Sequence, residues 1–584
     1  MDKKRVAEIL EEMGTILDLQ GANPFRSRAF HNGAVIIGGL ADDLTQLVRS
    51  KTLTEVDGIG KGLAQIIEDL VTTGRSEEYE TLRHSIPPGL LDIMRIPGLG
   101  PKRVKLLYER LGIESIEDLK NAAEQHRLSD VEGFGEKTEK NILRGIERLK
   151  KASDRHLVNV ALEAATEITA ALTGLSDVGR CEVAGSLRRR KELIGDIDIV
   201  VSAQEKDRGK IMDSFVKLGE RTVAQGDTKS SILLKKGINC DLRIVLEREF
   251  PFALNYFTGS KEHNVEMRSL ARKKGWSLNE YGFSSIEEGS RKRPPVCRDE
   301  EDLYEFLGLQ YIPPELRENL GEFEAAAHNL LPHLVEEKDI RGTFHCHTDF
   351  SDGANSAEEM TEAVRRKGWK YWGVADHSRA AIYAGGMSLE KARVQLKAID
   401  KLNEQMGDVR IFKGIECDIL PHGTLDYPDS LLAQYDYVIA SIHGKFNMTE
   451  TESTQRLIKA LKNKHVSMLG HPTGRVLLSR DGYPVKMSEV IQAASDYGKA
   501  IEINAHPLRL DLDWRLVRLA KEKHVPIAIN PDAHNIDGLD DVRYGVGVAR
   551  KGWLEKDDVL NTWSVERLES YFKDTKRVSG KPAL

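Results

Sequence analysis

Seven residues, Gly195-Asp196-Ile197-Asp198-Ile199-Val200-Val201, hold two carboxylates two positions apart in a β-branched run. A strand alternates faces with period two, so Asp196 and Asp198 leave one face while Ile197 and Ile199 leave the other. A third carboxylate, Asp241, opens a later strand-like run, Asp241-Leu242-Arg243-Ile244-Val245. Carboxylates converging from neighbouring strands make an all-oxygen cage for Mg²⁺, which takes few protein ligands and completes its coordination with phosphate oxygens. Two such ions clamp the attacking and leaving oxygens of an in-line phosphoryl displacement. Upstream, Ala184-Gly185-Ser186-Leu187-Arg188-Arg189-Arg190 offers backbone N–H groups at a helix start and guanidinium forks, the groups a triphosphate requires.

A second, imidazole-rich set lies in the carboxy-terminal half. His345-Cys346-His347 stands at the front, followed by Asp352, Asp376-His377, Glu416, His443, His471 and Asp532-Ala533-His534. His-x-His on a strand puts both rings on one face and leaves Cys346 on the other. Mixed imidazole and carboxylate donors suit Mn²⁺, Zn²⁺ or Fe²⁺ better than Mg²⁺.

The elements that must position these groups differ between the two halves. A helical pattern over residues 157 to 175 precedes the two-aspartate strand. In the second half, short apolar runs (Tyr371-Trp372-Gly373-Val374-Ala375, Val409-Arg410-Ile411-Phe412, Tyr437-Val438-Ile439-Ala440, Ala500-Ile501-Glu502-Ile503, Pro526-Ile527-Ala528-Ile529) alternate with amphipathic helices, the α/β signature. Several candidate ligands stand just beyond such runs, where strand ends converge at the mouth of a barrel. Ile312-Pro313-Pro314 closes the first half, and an alanine-rich helix over residues 323 to 334 leads onward.

The first third carries three copies of an apolar-x-Gly-apolar-Gly motif: Val56-Asp57-Gly58-Ile59-Gly60-Lys61, Ile96-Pro97-Gly98-Leu99-Gly100-Pro101-Lys102 and Val131-Glu132-Gly133-Phe134-Gly135. The glycines permit a tight turn between helices and leave amides free to meet a phosphate. This is the helix-hairpin-helix signature, which grips the DNA backbone without reading sequence. Gly58, Gly60, Lys61, Gly98, Gly100, Lys102, Gly133 and Gly135 are the candidate DNA contacts.

Asn255-Tyr256-Phe257-Thr258-Gly259-Ser260-Lys261-Glu262-His263-Asn264 joins Gly185-Ser186 and the three aspartates to complete a pattern that resembles the family X DNA polymerases, the group of DNA polymerase beta. The resemblance spans residues 1 to 310. It implies that Asp196 and Asp198 hold two Mg²⁺ or Mn²⁺ ions, and that Asp241 ligates the catalytic ion and handles the primer 3′-hydroxyl proton. It implies that Ser186 and Arg189 of the Gly185 loop bind the β and γ phosphates, with Arg155 a third phosphate contact. Tyr256 and Phe257 would select the sugar, Gly259 would belong to the same nucleotide-binding site, Asn264 would touch the incoming base and Arg268 the template side. Two departures stand out. The position of the family's Schiff-base lysine is Ile66, which has no amine, so deoxyribose-phosphate lyase activity is not expected. Lys261 stands where the better-known relatives carry an acid, and is expected to strengthen nucleotide binding by charge or stacking.

From His345 onward the pattern resembles the polymerase and histidinol phosphatase (PHP) family, distorted (βα)₇ barrels with two or three divalent ions in a phosphoesterase site. That likeness implies one ion on His345, His347, Glu416 and Asp532, a second on Glu416, His443 and His471, and a third on Asp352, His377 and His534. The order of the pieces resembles the PolX proteins of bacteria and archaea. It implies a polymerase that fills short gaps in base-excision repair and a 3′-to-5′ exonuclease, extending by analogy to abasic-site cleavage and 3′-phosphate removal.

A chain of 584 residues exceeds a single core. The expected fold class is multidomain α+β and α/β. The expected domains are a helical domain (1–86), a second helical subdomain with two hairpin motifs (87–150), a nucleotidyltransferase palm with a mixed sheet (151–250), a thumb (251–312), a linker (313–338) and the PHP barrel (339–575). The first ten residues read as an amphipathic helix and not as a signal peptide, and no apolar run reaches membrane-span length. Five scattered cysteines without Cys-x-x-Cys fit reduced thiols and a cytoplasmic, nucleoid-associated location. A net charge of −7 gives no sign of a nucleic-acid partner, so DNA binding must come from local sites. The expected partners are gapped or primer-template DNA and dNTPs, with no membrane and a monomeric state. Two rival readings are a phosphoesterase for small phosphate esters on a non-catalytic DNA-binding half, and a non-catalytic DNA organiser.

Overall fold

The computed structural model describes residues 1, 3–40, 44–56, 58–96, 98–287 and 293–577. Asp57 and Pro97 of the first two glycine motifs lie outside these residues. The chain divides into two compact units, residues 1–154 with 478–480, and residues 155–477 with 481–584. Among the described residues, no helix is long and apolar enough to cross a membrane.

The first unit is helical and packs two apolar cores. One gathers Leu10, Ile67 and Leu70; the other gathers Val104, Leu107 and Leu119. The three glycine motifs fold alike. Gly58, Gly98 and Gly133 take φ of +87°, +88° and +88°, a region that side chains disfavour. In each, the following residue's N–H bonds the carbonyl three positions back: Ile59 to Val56 at 3.0 Å, Leu99 to Ile96 at 3.0 Å, Phe134 to Val131 at 3.1 Å. Gly60 and Gly100 then cap the helices Lys61–Thr73 and Pro101–Leu111 with no side-chain cap, and the helix Glu136–Ser153 starts beyond Gly135. Ile66 is buried in the first core.

The second unit opens with β1 (His156–Leu157), β2 (Cys181–Val183), β3 (Leu193–Ile194), β4 (Asp196–Ser202), β5 (Arg221–Gln225), β6 (Lys229–Leu233) and β7 (Asn239–Val245). Five of them form a mixed sheet in the order β2-β4-β7-β6-β5. Its centre is the parallel pair β4 and β7, in register Asp198 to Asp241. The alternation read from the sequence holds there: Ile197 and Ile199 are fully buried, Asp196 is exposed and Asp198 partly so. The helix Val158–Thr173 shares the apolar core of this sheet through Ala161, Ile168 and Leu172. A hairpin of β8 (Trp276–Asn279) and β9 (Gly282–Ser285) follows the helices Phe250–Thr258 and Lys261–Lys273.

The stretch 313–338 is packed, not a free linker. The helix there runs only Glu322–Ala327, and Arg317 and Glu322 are fully buried. Each has a polar partner at hand, Arg317 the carboxylate of Glu300 and Glu322 the imidazole of His263, whose protonation burial disfavours. Charged residues of a stretch read as a linker become interior when their partners arrive from elsewhere in the chain.

The barrel is built from β10 (Gly342–Cys346), β11 (Tyr371–Val374), β12 (Arg410–Phe412), β13 (Gly414–Asp418), β14 (Tyr437–Ser441), β15 (Met468–Leu469), β16 (Ala500–Asn504) and β17 (Ile527–Asn530). All pairings in it are parallel, β10-β11-β12 and β13-β14-β15-β16-β17. Bridges between His377 and Glu416 and between Cys346 and Ala533 close the ring. β12 and β13 flank Lys413 and act as one bent strand, so the barrel has seven staves. Its floor is aromatic: Phe572 of the carboxy-terminal helix Val565–Thr575 lies 5.3 to 5.6 Å from the rings of Phe344, Phe412 and Tyr437.

Candidate active sites

In the palm, the three aspartates stand on adjoining strands at the register that pairs Asp198 with Asp241. Burial raises the Asp198 carboxyl to about 7, and the negative charges of Asp196 and Asp241 add to it. Lys229, on β6, lies 2.7 Å from Asp241. A site that strains against its own negative charge fits cations, and the all-oxygen donor set fits Mg²⁺ or Mn²⁺. The Gly185 loop sits directly over it. Gly185 has φ +65°, and a Cβ there would meet Asp198 Oδ2 at 2.1 Å, so only glycine lets the loop approach.

Arg189 does not reach outward from that loop. It is buried, its Nε donating to Glu318 at 3.0 Å and its Nη1 to the Thr258 carbonyl at 2.6 Å. Its neighbour Arg188 donates to Thr258 Oγ1 at 2.8 Å and pairs with Glu300 at 2.6 Å. The loop arginines thus hold the turn that follows Tyr256 and Phe257. Those two rings meet edge to face at 5.2 Å, and Arg243 of β7 lies over Phe257 at 4.9 Å. Asn264 also turns inward, donating to the Tyr256 carbonyl at 2.7 Å and to that of Gly259 at 3.3 Å. A Cβ at Gly259 would meet Asn264 Oδ1 at 2.8 Å. Lys261 is exposed at the start of its helix, Arg268 is half-buried on the same helix, Ser186 is half-buried and Arg155 is exposed ahead of β1.

Behind this turn lies a buried polar chain that sequence reasoning did not find. His263 binds Glu322 at 2.8 Å and the Tyr304 hydroxyl at 3.0 Å; that hydroxyl donates to Asn255 at 3.0 Å. Arg317 reaches both Asn255 and Glu300. Burial pushes the Glu300 carboxyl up, but Arg317 and Arg188 outweigh it and hold it at about 2.

The barrel brings all nine expected imidazole and carboxylate residues together at the carboxyl ends of its strands. Their ligand atoms form four overlapping groups, each within 4.8 Å: His347, Asp352, His377 and His534; His345, His471 and Asp532; His345, His347 and Glu416; His377, Glu416 and His443. His471 stands beside His345 and Asp532, and its Nε2 is also 2.9 Å from Glu416. The cause is Glu502: one oxygen takes His345 Nδ1 at 2.6 Å and the other takes the His471 N–H at 2.6 Å, tethering both ligands to one carboxylate.

The first strand departs from plain alternation. Phe344 packs into the barrel floor and Cys346 into the outer layer with Trp372, yet His345 and His347 both face the site. His345 takes φ +53° and the register with β11 shifts between Thr343 and Cys346, so a bulge carries the rings to one side. His471 and Asp532 also have positive φ, +22° and +54°. Three strained ligands in one cluster are the mark of a functional site.

Electrostatics set the charges within the cluster. Burial opposes a proton on His443, but Glu416 and Asp418 raise it to about 10; burial likewise opposes one on His534, which Asp352 and Asp532 raise to about 9. Burial lowers His347 to about 3, with His534 and His377 adding to the effect. Among the described residues, His345 Nε2, His347 Nδ1 and Glu416 Oε2 are buried without a hydrogen-bond partner. Such atoms are costly unless a cation completes them, and the imidazole-carboxylate set fits Mn²⁺, Zn²⁺ or Fe²⁺.

Two supporting carboxylates escaped sequence reasoning. Glu502 also accepts from Asn530 at 2.8 Å, and Asp418 lies 3.3 Å from His443 Nδ1. A glutamate inside the apolar run of β16 was the available signal. Asp376 proves a brace: it accepts from the Thr348 amide at 2.8 Å, Thr348 Oγ1 at 2.6 Å and Ser351 Oγ at 2.5 Å, fixing the loop that carries Asp352.

Comparison with known proteins matches four family models: a helix-hairpin-helix domain over residues 1–76, a SAM-like helix-hairpin-helix tandem over 90–148, the DNA polymerase beta thumb over 253–318 and the PHP domain over 343–506. The chain is 39% identical, over 98% of its length and the whole of the relative, to the DNA polymerase/3'-5' exonuclease PolX of Bacillus subtilis (strain 168). It is 26% identical over 45% of its length, and 48% of the relative, to DNA polymerase lambda of Rattus norvegicus. A probable phosphatase of Caldicellulosiruptor bescii is 31% identical over 32% of this chain and 78% of its own.

Proposed function

The chain belongs to the PolX family, and from that standing we propose that it is a DNA-directed DNA polymerase that fills short gaps during repair and trims 3′ ends with its barrel. Supporting this reading is the co-occurrence in one chain of three aspartates on paired strands and nine candidate ligand residues drawn from six of the seven barrel staves.

In the polymerase reaction Asp196 and Asp198 would hold two Mg²⁺ or Mn²⁺ ions, with Asp241 the third ligand. Those ions, when bound, draw the attacking and leaving oxygens into line and carry the developing charge. Asp241 orients the primer 3′-hydroxyl and takes or relays its proton. Ser186 and the amides of the Gly185 loop receive the triphosphate, with Arg155 a further phosphate contact. Arg189 binds it only after leaving Glu318. Tyr256 and Phe257 pack against the sugar, Arg268 faces the base pair, Asn264 reaches it only after leaving the Tyr256 and Gly259 carbonyls, and Lys261 adds charge or stacking.

In the barrel, His345, His347, Asp352, His377, Glu416, His443, His471, Asp532 and His534 would hold two or three divalent ions, which supply an activated water and neutralise the leaving oxygen. Glu502 and Asp418 fix the ring orientation of His345 and His443. Abasic-site cleavage and 3′-phosphate removal are the same hydrolysis: each breaks the bond from phosphorus to the upstream 3′-oxygen and differs only in the group that stays on the phosphorus. Deoxyribose-phosphate lyase chemistry lacks its amine, since Ile66 is an apolar core residue. The hairpin amides, with Lys61 and Lys102, hold the DNA backbone of a monomeric enzyme working in the cytoplasm on the nucleoid.

The test is a one-nucleotide-gapped duplex incubated with and without dNTPs, in Mg²⁺ and then Mn²⁺. Asp198→Asn should lose extension by about a thousandfold or more with 3′ trimming intact, and His345→Ala the reverse. Loss of both activities in either variant would refute two separate sites. Hydrolysis of small phosphate esters with DNA untouched would favour a phosphoesterase instead.

A further inference from the structure

Beside the barrel site, the loop after β11 presents two large apolar side chains to water. Ile382 is 85% exposed and Tyr383 73%, on the short turn Ile382–Ala384. The Tyr383 ring centre lies 6.3 Å from that of His377 and 6.4 Å from that of His443. An exposed aromatic ring this close to the buried cluster stands where anything entering the site must pass.

The loop is held rigidly in this pose. The Ser378 N–H donates to the Glu416 carbonyl at 3.0 Å, the Met387 N–H to the His377 carbonyl at 2.9 Å, and the Ala380 N–H to Asp426 at 2.8 Å. Arg379 pairs with the same Asp426 at 3.0 Å, and Ala381 and Ala384 are buried. A Cβ at Gly386 would meet the Ser378 carbonyl at 2.2 Å, so the turn closes on its own base. The exposed pair is therefore displayed by an anchored turn.

We propose that Tyr383 is the stacking platform for the 3′-terminal nucleobase of the strand being trimmed, with Ile382 flanking it. This rests on the exonuclease reading above and deepens it by naming how the strand end is held. A phosphodiester seated on the ions that His377 and His443 would hold leaves its base one sugar away, where the only large π face offered is that of Tyr383 among the described residues beside those two imidazoles. Stacking serves every base alike, which suits an enzyme that must remove any terminal nucleotide. Tyr383 here is a positioning residue that touches substrate and takes no part in the proton or phosphoryl steps.

The experiment measures 3′ trimming of a single-stranded oligonucleotide in Mn²⁺, and of the same strand ending in an abasic tetrahydrofuran residue. Tyr383→Ala should raise KM for the normal end about 10- to 100-fold with kcat within about twofold. Tyr383→Phe, which keeps the ring, should restore the wild-type KM. On the abasic end wild type and Tyr383→Ala should match, because no base is there to stack. Bound manganese per chain should be equal in all three proteins. An unchanged KM in Tyr383→Ala, or an equal loss on both ends, would overturn the proposal. A wild-type enzyme that trims neither strand would remove the exonuclease reading, and the proposal with it.

Discussion

Lys551 Nζ donates to Glu318 Oε1 at 2.6 Å, and the same oxygen accepts from Arg189 Nε at 3.0 Å. Lys551 ends the barrel helix Val542–Lys551, whereas Arg189 belongs to the loop over the palm aspartates. One carboxylate thus joins the two catalytic halves of this unit. Lys191 adds a third cation at 3.4 Å. Burial pushes Glu318 up, yet Lys551, Arg189 and Lys191 hold it at about 2.

Removing Glu318 should therefore be costly. Glu318→Gln leaves Lys551 and Arg189 buried against each other, and the second unit should lose about 3–5 kcal/mol, read from its urea unfolding midpoint. Lys551→Met should cost less, because Glu318 keeps two cations. With one cation gone, however, Glu318 holds Arg189 more firmly against an incoming phosphate. The KM for dNTP should rise about fivefold or more while 3′ trimming is unchanged. An unaltered KM in Lys551→Met would separate the two halves energetically.

Glu300 gives the unit an acid limit. Its folded-state value of about 2 lies below the ordinary 4.5, so its contribution is complete above pH 4.5 and is lost as pH falls toward 2. A displacement of that size corresponds to about 3 kcal/mol. Glu300→Gln should be less stable than wild type at pH 7, and the gap should close on acidification across that window. Urea midpoints for both proteins from pH 7 to pH 2 measure it, and a constant gap would contradict the assignment.

The gathering of both clusters was legible in the sequence because their carboxylates and imidazoles fall inside or just beyond apolar runs, which become neighbouring strands. The strands were legible for the same reason: the runs at Tyr371, Tyr437 and Ala500 became β11, β14 and β16. The supporting network was not. Lys551 and Glu318 are 233 residues apart, and in a chain with 30% charged residues neither stands out from the surface. The stretch 313–338 read as a linker because its burial depends on partners that only folding supplies. The bulge at His345 was also hidden, since spacing alone cannot tell a bulged His-x-His from a regular one.

Glu502 should behave as a support for the barrel ions. It touches His345 through Nδ1 and leaves Nε2 toward Glu416 and Asp532, 3.3 and 3.5 Å away. Glu502→Gln keeps the volume but removes the charge that fixes this ring. Affinity for Mn²⁺ should fall about 10- to 100-fold by calorimetric titration, and excess Mn²⁺ should restore 3′ trimming. Extension by the palm should be unaffected. Wild-type Mn²⁺ affinity in the variant would assign Glu502 to packing alone.

The hairpin glycines and lysines should contribute to DNA binding in different ways. Gly98 has φ +88° and nothing within 4 Å of the place a Cβ would take, so Gly98→Ala meets no clash and suffers only backbone strain. That strain tilts the amides of Leu99 and Gly100, and DNA affinity should fall with little change in its salt dependence. Lys102→Ala leaves the amides in place and removes one cation, so the slope of log affinity against log salt should shrink by about 1. Titrating both variants with a fluorescent gapped duplex at several salt concentrations separates the two effects. If Gly98→Ala changed the slope and Lys102→Ala did not, cation release would have to be reassigned to residues drawn in by the turn, and the amide grip inferred from the three matching hairpins would fail.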